Sequence, residues 1–140
     1  MKHIAIVAGG DSSEVVVSLK SAQGIKSFID QNVYKTTIVT IIGNEWNALV
    51  SETEKFPIDK NDFSFVQNGQ KQTFDFAYIT IHGTPGENGI LQGYFDLIGM
   101  PYSTSGVLVE ALTFNKFMLN QYLKGFGVSV SESLVVRKGF

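Results

Sequence analysis

Four side chains in this sequence stand where chemistry could be done, each beside a change from an apolar run to a polar or glycine-rich turn. Glu14 follows Gly9-Gly10-Asp11-Ser12-Ser13, where an apolar run gives way to a helical pattern. A helix N-terminus presents oriented N–H groups and partial positive charge. A carboxylate there can stabilise its own helix by a few tenths to about 1 kcal/mol. It can equally stay ionised and hold a cation such as a substrate ammonium, and the pattern serves both readings. His82 closes the run Phe76-Ala77-Tyr78-Ile79-Thr80-Ile81 and opens the turn Gly83-Thr84-Pro85-Gly86. A histidine at a strand's carboxyl end, beside such a turn, more often faces a cleft than a core. Histidine can serve there either neutral or charged. Glu87, inside the turn, can take part in binding or cap the helix that starts near Asn88-Gly89. Lys116, on a helix, reads by spacing alone as a solvated charge.

The totals narrow the classes. At 140 residues, 44% hydrophobic and 12% aromatic, the chain can bury the core of one folded domain. A net charge of -2 with no basic run gives no footing for nucleic acid. There is no cysteine, so disulfides and zinc-thiolate sites are excluded, and two histidines argue against an imidazole-built metal centre. The opening MKHIAIVAGG is too short an apolar run for a signal peptide, and nothing reaches membrane-spanning length. A cytoplasmic protein bound to no membrane is expected.

The elements that must position these side chains are legible as alternating strands and helices. Ile4–Ala8 predicts a buried first strand. Asp11, Ser12 and Ser13 offer three N-cap candidates, and Asp11 with Glu14 approaches a capping box. The first helix is predicted from about Glu14 to Asp30, burying Val15, Leu19, Ala22, Ile25, Phe28 and Ile29. Tyr34–Ile42, rich in β-branched residues, predicts a second strand paired with the first through a crossover. From Gly43 to Gln72 the alternation of Trp46, Ala48 and Val50, and of Phe63 and Phe65, suggests an antiparallel insertion. Asn68-Gly69 marks a tight turn between Phe65-Val66 and the strand led by Phe74.

From Phe74 to Ser105 the pattern is strand, turn, helix, strand. Glycines 83, 86 and 89 crowd the turn. Ile90, Leu91, Tyr94, Phe95 and Ile98 follow at helical spacing, and Gly99 with Pro101 ends the helix. Met100-Pro101-Tyr102 supplies a short strand. Two further helices are expected, one around Val107–Leu112 and one from about Asn115, closed by Gly125 and Gly127. Glu132–Lys138 reads as a strand without a local partner, as though the chain were passing into another domain. The whole predicts a three-layer, Rossmann-like α/β fold, a mostly parallel sheet flanked by helices. Its polar residues lie at the carboxyl ends of strands, where such sheets bind ligands.

Three stretches also carry a family resemblance. They are Gly9-Gly10-Asp11-Ser12-Ser13-Glu14 with Val17-Ser18-Leu19, His82-Gly83-Thr84-Pro85-Gly86-Glu87-Asn88-Gly89 running through Gln92-Gly93 to Gly99-Met100-Pro101-Tyr102, and Ser105-Gly106-Val107 with Asn115-Lys116. In this order the sequence resembles the N-terminal part of the D-alanine–D-alanine ligases of the ATP-grasp superfamily. The resemblance implies a pre-ATP-grasp substrate-binding domain over residues 1–112 and the start of the ATP-grasp domain over 113–140. It implies that ATP phosphorylates the carboxylate of one D-alanine and that a second D-alanine displaces the phosphate, giving a dipeptide for peptidoglycan. Glu14 then matches the residue holding the first substrate's ammonium and helping to fix the site loop. His82 matches the residue beside the substrate carboxylate, Gly83 and Glu87 belong to the same substrate-binding turn, and Lys116 matches a contact to nucleotide phosphate. Mg²⁺ ligands and most ATP contacts fall to later domains, so the 140 residues alone are expected to be inactive. A homodimer is implied as well.

The sequence departs from the pattern at Val15-Val16, where polar residues are usual. Asn88 and Asn115 replace aspartates, and Thr104 a glycine. Other readings of the same residues are a freestanding domain binding a small anion or nucleotide, and a non-enzymatic dimerisation domain. A ligase taking D-lactate or D-serine second is a further one.

Overall fold

The computed structural model describes residues 1–51 and 53–139. Strand β1 (Lys2–Gly9) lies at the centre of the main sheet, between β2 (Tyr34–Ile42) and the strand that precedes His82. That strand, Phe76–Ile79, is β7, because four short strands intervene: β3 (Glu45–Leu49), β4 (Lys55–Pro57), β5 (Phe65–Gln67) and β6 (Gln70–Gln72). The sheet order is β4-β3-β2-β1-β7. β1 runs parallel to both its neighbours, with Ile6 opposite Ile38 on one side and Tyr78 on the other. β3 and β4 extend the sheet antiparallel; where a short strand was expected at Met100-Pro101-Tyr102 there is only an isolated parallel bridge from Tyr102 to Ala77.

The period of two along β1 divides the core. Ala5 and Val7 point to one face, joining Val39, Ile41, Ala77 and Ile79. Helix α2 (Ile90–Ile98) covers that face with Leu91 and Phe95, and Phe63 and Phe65 arrive from the insertion. Ile6 and Ala8 point the other way with Ile38, where helix α1 (Val15–Phe28) packs through Ala22. Helices therefore cover both faces, and the three-layer α/β prediction holds. Helices α3 (Val107–Phe114) and α4 (Lys116–Gly125) pack against each other. Among the described residues, none beyond Met100 is buried.

Several expectations need correction. Phe28 is 90% exposed. At 3.6 residues per turn it lies about 100° round the helix from Ile29, off the face that Ser18 and Ala22 bury. No capping box forms: Glu14 is itself the N-cap of α1 without a side-chain cap bond, and the Asp11 carboxylate instead accepts from the Gly43 N–H at 2.7 Å. Asn68-Gly69 does make a tight turn, with φ of 52° and 75°. However, it joins β5 to β6 in a separate two-stranded sheet rather than leading into the Phe74 strand. The short hairpin pairs with itself because β7 already has β1 as its partner. Glu132–Lys138 forms no strand, for no neighbouring backbone offers it a ladder.

His3, at the start of β1, is a buried polar residue with complete partners. Its Nδ1 is 2.8 Å from the Thr73 carbonyl, which can only accept, so Nδ1 carries the proton. Nε2 then accepts from the Thr37 hydroxyl at 2.8 Å. Burial, helped by nearby Lys35, lowers the imidazole pKa below its ordinary 6.5, against the Thr73 bond and Asp75, which raise it. The unfolded chain therefore takes up a proton first as pH falls. The stability tied to neutral His3 is fully present above 6.5 and is lost on acidification through the folded value. Denaturant midpoints should fall between about pH 7 and about pH 5, the range in which histidine titrates, with a shallower slope in His3→Gln. Equal slopes in the two proteins would remove His3 as the source.

Candidate functional site

Two loops at the carboxyl ends of β1 and β7 meet here. The first, Gly10–Glu14, is anchored by backbone bonds from Gly10 N to Ile41 O at 2.7 Å and from Asp11 N to Thr84 O at 2.9 Å. Ser12 joins it to the second loop. Its hydroxyl donates to the His82 carbonyl at 2.9 Å and accepts from the Glu14 N–H at 3.1 Å. Glu14 and His82, far apart in sequence, are thereby brought together, with Oε2 3.8 Å from Nδ1. Their side chains remain 59% and 44% exposed, so both can still take a ligand.

The second loop is closed on itself. The Glu87 carboxylate accepts from the Gly83 N–H at 2.6 Å, and the Gly83 carbonyl accepts from the N–H groups of Gly86 and Glu87. Glu87 thus shapes the turn rather than capping α2, whose N-cap is Gly89 without a side-chain bond. Gly83 has φ +77°, a left-handed conformation suited to glycine. Gly86 is required for a different reason: a Cβ there would lie 2.6 Å from the Ile81 Cβ.

Between this turn and the Ser103–Ser105 loop is a cleft of about 440 Å³, lined by Thr80, His82, Glu87, Ser103, Ser105 and Glu110 among others. Glu14 is not among its lining residues; it stands 3.8 Å from His82, which is. Two wider grooves exist, one between α1 and the β3–β4 turn and one beside α4 near Arg137. Neither is bordered by Glu14 or His82.

Two buried polar residues, present in the motifs of the sequence but given no role there, support these loops. Gln92 is fully buried, and its Nε2 donates both to the Gly86 carbonyl at 2.7 Å and to the Thr104 hydroxyl at 2.9 Å. It ties the two sides of the cleft together. Its Oε1 has no partner among the described residues. Ser18, also fully buried, bonds to Gly9 of β1 and to Thr80, the residue after β7. A glutamine and a serine at inward-facing helix positions were the available signals.

The asparagines that replace the family's aspartates keep local bonds. Asn115 Oδ1 accepts from the Met118 N–H at 3.1 Å as the N-cap of α4, a bond an aspartate would also make. Asn88 uses its amide to donate to the Thr84 hydroxyl. Lys116, the first residue of α4, is exposed and makes no hydrogen bond or ion pair among the described residues. It is not part of the Glu14–His82 cluster. No group of three His, Asp or Glu able to hold a metal occurs among the described residues, and no helix there is long and apolar enough to cross a membrane.

A central parallel strand, helices on both faces and a polar cleft at the strand ends define a Rossmann-like α/β domain. The chain belongs to the family described as D-ala D-ala ligase N-terminus, which it matches over residues 3–105. It is 68% identical over 139 residues to a D-alanine--D-alanine ligase of Phocaeicola vulgatus, covering 99% of this chain and 43% of that protein. It resembles the solved D-Ala:D-Ser ligase of Enterococcus faecalis with a TM-score of 0.80 at 26% identity, covering 94% of this chain and 43% of that one. The D-alanine--D-alanine ligase of Bacillus anthracis, solved with ATP, gives a TM-score of 0.71 at 26% identity, covering 94% and 39%. The chain thus spans less than half the length of the curated relatives it matches.

Proposed function

We propose that this chain is the substrate-binding N-terminal part of an ATP-dependent ligase that joins two D-alanines through an acyl phosphate. The observation that carries this reading is the approach of Glu14 to His82 at 3.8 Å, beside an open cleft, in a chain of this family. Glu14 holds the ammonium of the first D-alanine with a carboxylate at a helix N-terminus. His82 lies beside that substrate's carboxylate and orients it. Gly83 and Glu87 keep the turn in shape around both. ATP supplies the phosphoryl group that makes the carboxylate reactive, and the amine of the second D-alanine displaces phosphate to leave the dipeptide for peptidoglycan. Lys116 is the residue of this chain that would meet nucleotide phosphate; its exposed ammonium on the first turn of α4 suits that contact. The residues described here do not offer a Mg²⁺ site, so its ligands are assigned to the rest of the ligase.

We place residues 1–112 in the substrate-binding half and 113–140 at the start of the ATP-grasp half; the lack of buried residues beyond Met100 among the described residues supports a boundary in this region. Homodimerisation through this domain's helices belongs to the same reading. A reaction that consumes ATP places the protein in the cytoplasm.

The test is phosphate release with ATP, Mg²⁺ and D-alanine by a fusion of this chain to the remaining residues of the Phocaeicola vulgatus ligase. Release is expected with D-alanine and not with L-alanine, and none from the 140 residues alone. A fusion that folds but releases phosphate with no D-amino acid would return the chain to the reading of a freestanding anion-binding domain. Release with D-alanine only when D-serine is added would favour the activity named for the Enterococcus faecalis relative.

A further inference from the structure

The Glu14–His82 approach depends on two exposed side chains that do not hold each other, since 3.8 Å is too long for a hydrogen bond. Something behind them must fix the helix start against the strand end. Ser18 lies one turn into α1, and its N–H donates to the Glu14 carbonyl at 3.0 Å, the first bond of the helix. Its hydroxyl accepts from the Gly9 N–H at 3.0 Å, where the first loop leaves β1, and donates to the Thr80 carbonyl at 2.8 Å, two residues before His82. The Thr80 hydroxyl in turn donates to the Val7 carbonyl at 3.0 Å and reaches the Ser18 carbonyl at 3.4 Å. Ser18 is fully buried and Thr80 is 8% exposed, so water cannot replace these bonds.

We propose that Ser18, with Thr80, is a positioning residue that sets the Glu14–His82 spacing for the first substrate. The proposal rests on the function proposed above. One hydroxyl joins β1, α1 and the residue that follows β7, at the level where both loops begin. Without it, the Gly9 N–H and Thr80 carbonyl lose their partner in a buried place. The N-terminus of α1 is then free to shift against β7. Shifts of about 1 Å at a reacting group can cost on the order of 100-fold in rate.

The experiment measures KM and kcat for D-alanine in the fusion carrying Ser18→Ala, Glu14→Gln, and both. Ser18→Ala should raise KM roughly tenfold, within that range for a displaced binding group, and should add nothing further on top of Glu14→Gln. Thr80→Val should act in the same direction while Thr80→Ser, which keeps the hydroxyl, restores the wild-type KM. Effects of Ser18→Ala and Glu14→Gln that multiply in full would overturn the proposal. So would a lower melting temperature with KM and kcat unmoved. If Ser18→Ala does not fold, Thr80→Val against Thr80→Ser decides the question by the same readout. An unmoved KM in Glu14→Gln overturns the site reading and the latch with it. A raised KM there, beside an unmoved one in Ser18→Ala, overturns the latch alone.

Discussion

Glu14→Gln in the fusion is expected to raise KM for the first D-alanine by roughly 10- to 100-fold. A hydrogen bond to a charged group contributes about 1.5–3 kcal/mol, and each 1.4 kcal/mol is about tenfold in binding. Glutamine keeps the shape and an acceptor oxygen but removes the charge, so the loss falls on the cation and not on packing. The carboxylate is largely exposed and makes no hydrogen bond that holds the fold, so the melting temperature should stay where it was. His82→Ala should act in the complementary way, lowering kcat, because the proposed function has it orient the carboxylate that reacts. Unchanged kinetics in Glu14→Gln would leave that residue as a carboxylate serving only its own helix.

Phe63→Ala is expected to destabilise the chain by about 3–5 kcal/mol, the usual cost of removing a buried aromatic ring. That is a large part of the roughly 5–15 kcal/mol that holds a domain together. Phe63 is fully buried at the meeting point of Trp46, Phe74, Tyr94 and Phe95, with ring centroids 5.0–6.1 Å away. Its backbone is left-handed, with φ of 56°, a conformation that costs a side-chain-bearing residue about 1–2 kcal/mol. Burial of the ring outweighs that cost. A comparison separates the two contributions: Phe63→Gly loses the same ring but relieves the backbone, so it should be less destabilising than Phe63→Ala by about 1 kcal/mol. Denaturant unfolding of the three proteins measures this. A glycine variant weaker than the alanine variant would show that the conformation carries no strain.

What the sequence made legible was whatever repeated or punctuated. Strand β2 begins and ends at the predicted Tyr34 and Ile42 because its β-branched run is long, and α2 was framed by Gly89 and Gly99. Glu14 and His82 could be singled out by their places beside glycine turns, although nothing in the spacing told that they would come within 3.8 Å of each other. That closeness depends on β7 pairing with β1 rather than with nearer strands. Ser18 and Gln92 stood in the quoted motifs, but their role was hidden for a related reason: a buried polar residue has value only through partners distant in sequence. Phe28 and Phe63 show the converse. The helical pattern predicted burial of Phe28, which helix phase exposes; Phe63 was read only as part of a strand-like alternation, and a left-handed turn of backbone delivers it to the core.

The sheet order has a consequence for how the molecule comes to be folded. The two loops of the site belong to the first and third strands of the parallel core, and the Ser12–His82 bond spans 70 residues. Contacts this distant form late, since a long segment of chain must lose its freedom before they give anything in return. β7 cannot dock on β1 without also bringing Ile79 into the core and Thr80 against Ser18. Completion of the sheet and assembly of the site are therefore one event. A molecule with these two loops apart has not yet closed its core, and folding itself admits no half-built version of the candidate site.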